Sequence, residues 1–314
     1  MKNLSTKSGL HPRNKHRSAY DFPALVRTSP ELEKFVRKNP YGNLSIDFSD
    51  PKAVKALNRA LLRYHYEVEH WDIPERYLCP PIPSRVDYLH YLADLLSPLY
   101  IGKVIKGRKV KVLDIGTGAN CIYPILGNRE YNWAFVASEV DKQAFDSARK
   151  NIITNKNLKN KIDVRFQKSG DFLFRGIVED GEEFDLTMCN PPFHASVKEA
   201  EKATESKWNK LGKTGKKSLN FGGQNRELWY KGGEKAFIRK MIEESRDLSK
   251  QVLWFTSLVS KKESLENIKH VLRWVKAKDV KVVEMKHGQK TTRFVAWTFM
   301  EEHEQKAWAE RRWK

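Results

Sequence analysis

The chain has 314 residues, and its 58 Lys and Arg outnumber 39 Asp and Glu, a formal charge of +19 at pH 7. An apolar fraction of 40% excludes a disordered chain, and no stretch approaches the roughly 20 apolar residues of a membrane helix. Three widely spaced cysteines, Cys79, Cys121 and Cys189, fit neither a disulfide framework nor a zinc site, and the first residues carry no secretory apolar run. A cytoplasmic protein with no metal and no membrane partner is expected. The charge points to a polyanionic partner, of which nucleic acid is the usual one.

Residues 1–20 carry Lys2, Lys7, Arg13, Lys15 and Arg17 and no acid, the pattern of a basic arm or a solvated tail. Ser29-Pro30-Glu31 opens a short helix to about Lys38, and Asp50-Pro51 opens a second, with Val54, Leu57, Leu61 and Leu62 at helical spacing. Pro74, Pro80, Pro81 and Pro83 make a rigid link. Ser84 caps a third helix that ends before Pro98. From Lys109 the texture changes. Strands are predicted at 109–115, 133–140, 162–167, 184–189, 251–258, 280–285 and 292–300, with helices at 141–155, 233–248 and 262–275. This alternation predicts an α/β fold with a mostly parallel seven-stranded sheet, and the tight turn at His287–Lys290 makes the last two strands an antiparallel hairpin. Residues 1–100 form a helical, basic N-terminal region, and 101–314 form the α/β domain.

The first predicted strand runs into Asp114-Ile115-Gly116-Thr117-Gly118-Ala119-Asn120. Gly116 permits the turn and Gly118 lets a ligand approach the backbone. The third glycine of a dinucleotide fingerprint would fall at Cys121, so the pyrophosphate cradle is incomplete. S-adenosylmethionine, which has no phosphate, suits this loop better. Glu139, at the end of the second strand, stands where an acceptor for ribose hydroxyls is expected.

The strand at 184–189 ends in Asn190-Pro191-Pro192-Phe193. Pro191 biases Asn190 away from helical backbone and holds its side chain on a rigid loop. An exocyclic amine of adenine is a poor nucleophile because its lone pair is delocalised. Acceptors that draw on its two N–H groups localise that pair. The Asn190 side chain and the Pro191 carbonyl are suited to this, and Phe193 offers a face for a planar base.

These residues resemble amino methyltransferases of the adenine-N6 type. More narrowly, 114–124 (Asp-Ile-Gly-Thr-Gly-Ala-Asn-Cys-Ile-Tyr-Pro), 190–196 (Asn-Pro-Pro-Phe-His-Ala-Ser) and 220–224 (Asn-Phe-Gly-Gly-Gln) resemble the ribosomal RNA large subunit methyltransferase F family, from about Gly9 to about Phe299. The resemblance implies a class I Rossmann-like methyltransferase that uses S-adenosylmethionine to methylate one adenine N6 in 23S ribosomal RNA, free or in a large-subunit assembly intermediate. It also implies that Arg85 reaches the cofactor's carboxylate. Asp171, after the third strand, is a candidate for the cofactor's adenine amine, beside Asp114, Gly116, Thr117, Gly118, Asn120, Glu139 and Asn190.

About forty residues separate Phe193 from the next helix. This loop, 194–232, holds the lysine-rich run 198–217 and two Gly-Gly pairs beside aromatic residues. Lys213, Lys216 and Lys217 are candidates for phosphate contacts, and Phe221, Trp229 and Tyr230 for stacking on bases. The alternatives are a methyltransferase acting on a protein glutamine amide, and a non-catalytic RNA-binding module.

Overall fold

The computed structural model describes residues 9–75, 77–196, 199, 229–287 and 290–314. Helix α1 (Phe22–Thr28) is capped by Asp21, whose side chain accepts from the Ala24 N–H at 3.0 Å. The helix expected from Ser29 is instead a 3₁₀ turn, Pro30–Phe35, followed by a small hairpin of β1 (Arg37–Lys38) and β2 (Leu44–Ser45). Ser29 does not cap this turn, because its hydroxyl accepts from Arg63 at 3.1 Å. The Asp50 side chain caps α2 (Pro51–Tyr66), as its sequence signals. Helix α3 (Ile82–Leu96) begins two residues before Ser84. Pro83 lies in its first turn, where a missing N–H costs nothing, and the Ser84 hydroxyl donates back to the Pro81 carbonyl.

The described part of the basic arm is not free, although Arg13 and Lys15 remain exposed. Residues 11–17 lie along α3. The His11 N–H donates to the buried Asp87 carboxylate, Asn14 donates to the Pro83 carbonyl at 2.9 Å, and Arg13 pairs with Asp94 at 2.7 Å. Lys15 pairs with Glu130 at 3.0 Å.

Beyond α3 the chain alternates as predicted: β3 (Lys111–Ile115), α4 (Ile122–Tyr131), β4 (Ala134–Glu139), α5 (Lys142–Ile153), β5 (Ile162–Phe166), β6 (Phe184–Cys189), α6 (Gly233–Ser245), β7 (Val252–Val259), α7 (Ser264–Trp274), β8 (Asp279–His287), β9 (Lys290–Thr298) and α8 (Glu302–Trp313). Helices α1, α4 and α8 had no clear signal. Helix α4 is buried along most of its length, so its residues show no polar face. Helix α8 is mostly charged and is held by its tryptophans.

The sheet order is β5-β4-β3-β6-β7-β9-β8, with β3 to β7 parallel and β9 antiparallel to both β7 and β8. Alternate residues face opposite layers. Val112, Phe294 and Ala296 join a core with α2, α3 and α4, while Leu113, Val295 and Trp297 join a second core with α6 and α7. The N-terminal helices thus bury their apolar faces against the sheet itself. Successive connections leave in opposite directions from the neighbouring strands β3 and β6, and the crevice at their carboxyl ends is the switch point where such sheets bind ligands. Among the described residues no helix is long and apolar enough to cross a membrane.

The acidic stretch 179–185 closes the opposite end. Glu182 pairs with Lys111 at 2.6 Å and Arg165 at 2.7 Å, and Glu183 pairs with Arg311 and Arg312. The fully buried Asp185 accepts from the Lys111 N–H, the indoles of Trp308 and Trp313 at 2.8 and 3.0 Å, and Arg312. Asp185→Ala leaves the Lys111 N–H and both indoles without an acceptor, while Arg312 keeps Glu183. It is expected to lower the unfolding free energy by roughly 3 kcal/mol in urea titrations, and a change within experimental error refutes the anchoring role.

Candidate active site

The loop after β3 is shaped by its glycines and held by one carboxylate. Gly116 and Gly118 have φ of +71° and +66°, in the left-handed region where glycine is favoured. The Gly116 and Thr117 N–H groups donate to the Ser138 carbonyl on β4 at 3.0 and 2.9 Å. The Gly118 N–H donates to Glu139 Oε2 at 2.8 Å, and Glu139 Oε1 accepts from the Val140 and Asp141 N–H groups, each at 2.8 Å. Three of about four acceptor positions on this carboxylate are filled, leaving about one for a ligand. Burial raises its pKa, and the three N–H bonds pull it back.

Asp114 lies beneath the loop and off the pocket wall. It is fully buried, and burial, with the neighbouring Glu139 charge, pushes its pKa up to about 7. Neither carboxyl oxygen makes a well-formed hydrogen bond among the described residues, though the nearby Thr117 hydroxyl and the Arg85 charge ease its ionisation. Arg85, in the first turns of α3, donates to the Tyr123 hydroxyl at 2.7 Å. Asn120 caps the turn into α4 through the Ile122 N–H, while its carbonyl accepts from the Trp71 indole at 2.9 Å.

Cys121, at the third-glycine position, adopts φ +50° with its side chain fully buried. The loop keeps a glycine-like backbone where the fingerprint calls for one, but sulfur occupies the space beside it. This donor set suits a nucleoside without a diphosphate.

These parts surround one cavity of about 190 Å³. Arg85, Gly116, Thr117, Gly118, Asn120, Glu139, Asn190, Pro192 and Trp229 line it together. Asn190 sits at the carboxyl end of β6, and its Oδ1 is inaccessible and without a hydrogen-bond partner among the described residues. Pro191 is buried and Phe193 half-buried, and neither lines this cavity. Asp171 is exposed and does not reach it; Gln167, Gly170 and Phe172 stand on that side instead. Lys213, Lys216, Lys217 and Phe221 lie outside the described residues. Tyr77, whose hydroxyl donates to Asp141 at 2.8 Å, and Tyr123 stand on the same wall without a sequence signal of their own, beside Tyr230, a sequence candidate for base stacking. Only nearby motifs marked the first two.

A mostly parallel sheet of this order, with a glycine loop, an acid after the second strand and an Asn-Pro-Pro loop at the switch point, defines a Rossmann-like methyltransferase. A family model described as "RNA methyltransferase" matches residues 4–301. The chain is 53% identical over 311 residues to "Ribosomal RNA large subunit methyltransferase F" of Serratia proteamaculans, covering 98% of this chain and 93% of that protein. It is 52% identical to the protein of the same name from Pseudomonas fluorescens, covering 98% and 91%. The chain belongs to this RNA methyltransferase family, among the ribosomal RNA large subunit methyltransferase F proteins. The fold is shared with the catalytic domain of hMettl16 solved in complex with MAT2A 3′UTR hairpin 1, at TM-score 0.78 and 33% identity over 94% of this chain and 96% of that one. The N-terminal domain of human METTL16 in complex with SAH superposes at TM-score 0.73 and 30% identity over 93% and 99%.

The raised pKa of Asp114 means that the folded chain binds this proton more tightly than the unfolded chain. Its burial therefore costs little near the unfolded value of 3.8, and the cost grows as pH rises toward about 7. Asp114→Asn is expected to raise the melting temperature clearly at about pH 8 and little at about pH 4. An equal gain at both values refutes the assignment.

Proposed function

We propose that this protein transfers a methyl group from S-adenosylmethionine to the N6 amine of one adenine in 23S ribosomal RNA, free or in a large-subunit assembly intermediate. The observation that carries the reading is the inaccessible Asn190 Oδ1, without a hydrogen-bond partner among the described residues, on a residue that shares one cavity with the glycine loop and Glu139. A buried acceptor without a donor is costly, so its retention fits a ligand that brings an N–H. The bound cofactor supplies an electrophilic methyl on a sulfonium. Glu139 has about one acceptor position left for a ribose hydroxyl, and Arg85 has the charge and reach for a carboxylate.

Asn190 Oδ1 and the Pro191 carbonyl then accept from the two N–H groups of the adenine amine and localise its lone pair. Holding nitrogen and methyl in line supplies much of the rate. As the new N–C bond forms, the C–S electron pair stays on sulfur and one amine proton leaves to water. Phe193, off the cavity wall, offers its face to the base entering from outside. Lys213, Lys216, Lys217 and Phe221, in the 194–232 loop, are proposed to contact RNA, and the basic region 1–100 to flank them. The likeness to an enzyme domain solved with an RNA hairpin supports RNA over a protein amide as substrate.

Asn190→Ala is expected to keep S-adenosylmethionine affinity in calorimetry and to lower kcat on 23S ribosomal RNA by roughly a hundredfold or more. Unchanged turnover refutes its role. Mass-spectrometric mapping of the methylated RNA is expected to find N6-methyladenosine at one position. A methyl group on another atom, or on glutamine of an added release factor instead of RNA, refutes the substrate assignment. RNA affinity should also fall with salt, at roughly −0.7 log units per log unit for each single-stranded phosphate contacted; a flat response refutes an electrostatic footprint.

A further inference from the structure

Among the described residues, three on the wall of the same cavity carry a buried polar side-chain atom without a hydrogen-bond partner: the Thr117 hydroxyl, the acceptor Asn190 Oδ1 and the Trp229 indole Nε1–H, which can only donate. Other buried indoles in the chain have acceptors: Trp71 donates to Asn120, Trp133 to Ile105, Trp297 to Ser245, and Trp308 and Trp313 to Asp185. Trp254 is also unpaired, but it lies in the core of the sheet, away from the cavity.

Trp229 is seated on the catalytic loop. It forms a parallel bridge with His194, the residue after Phe193, and the Tyr230 N–H donates to the His194 carbonyl at 3.0 Å. The Tyr230 ring meets Phe237 edge-on at 5.2 Å, and the Gly233 N–H donates to the Tyr230 carbonyl at 2.7 Å. Gly233 has φ +70°, and a Cβ there would stand 3.4 Å from Ala195. The backbone that carries Trp229 is therefore tied to the loop that follows Asn190.

We propose that Trp229 determines base specificity: its indole N–H donates to a ring nitrogen flanking the exocyclic amine that Asn190 holds. This rests on the N6-methylation reading and extends it from the amine to its neighbour. Adenine presents an amine donor beside a ring acceptor, N1 on one side and N7 on the other. Guanine presents a carbonyl at the amine position, so acceptor would meet acceptor at Asn190; on its N1 side an N–H would also meet the indole donor, whereas its N7 side still offers an acceptor. Uracil fails in the same way. Cytosine carries the same donor–acceptor edge on its N3 side and is not separated from adenine by this contact. Rejection by an unpaired buried group is stronger than rejection by shape alone.

The test uses the full chain and synthetic RNA spanning the mapped adenine, with that base also replaced by 1-deazaadenine or 7-deazaadenine. Wild-type kcat/KM is expected to fall about tenfold on one of the two analogues, the loss of one neutral hydrogen bond to a buried donor. Trp229→Phe, which keeps a ring but lacks the N–H, is expected to fall about tenfold on adenine and to treat adenine and that analogue alike. S-adenosylmethionine binding of the variant reports that it is folded; if it is not, the wild-type analogue series decides alone. Wild type methylating both analogues as well as adenine overturns the proposal, as does a Trp229→Phe variant that keeps the wild-type discrimination. Absence of any N6 methylation overturns the parent reading, a result distinct from N6 methylation that ignores the ring nitrogens.

Discussion

One carboxylate organises the site. Glu139 ends β4, yet one of its oxygens accepts from Gly118 on the loop that follows β3, while the other accepts from the start of the turn into α5. A strand end, a glycine loop and a helix entry are thereby held at fixed separation. Backbone N–H groups that face a ligand cavity would otherwise compete for water. Tying them to a buried carboxylate that also lines the cavity holds the loop in place before any ligand arrives. Asn190, on the neighbouring strand β6, is positioned against this frame because β3 and β6 pair in parallel register up to Ile115 and Cys189.

The N-terminal helices are part of the same construction. Trp71 fastens the glycine loop from outside, Arg85 enters the cavity from α3, and α3 is in turn held by His11 and Asn14. The segment before β6 does the reverse job at the far end. Its acids neutralise Lys111, Arg165, Arg311 and Arg312, so that part of the large positive charge is spent on internal pairing and does not reach a substrate.

Much of this was legible in the sequence, for identifiable reasons. Strand β6 was placed to the residue because its apolar run stops at two prolines, and prolines act through local sterics that need no tertiary information. Glu139 was legible because a fixed rise per strand residue sets the distance to the glycine loop. Helix α4 was not, since a helix buried on all sides has no periodic polar face. Ser29 misled because a long-range partner, Arg63, took the hydroxyl that a local rule assigns to a cap. Asp171 was misplaced for a similar reason: the irregular turn after β5 decides which of several neighbouring polar residues faces inward, and Gln167 does. The unpaired state of Asn190 and Trp229 is a property of packing, and no spacing in the sequence encodes it.

Asp114 carries a further consequence for ligand binding. A carboxyl whose pKa stands at about 7 is close to half-ionised at neutral pH, and it senses the charges of Arg85 and Glu139 around the cavity. A positive charge brought into the cavity near it would favour the ionised form, and the displaced proton would pass to solvent. Cofactor uptake and proton release are then one coupled equilibrium. The heat of binding would then contain the ionisation heat of whatever buffer receives that proton, and the apparent affinity would carry a slope in pH set by a residue behind the cavity wall.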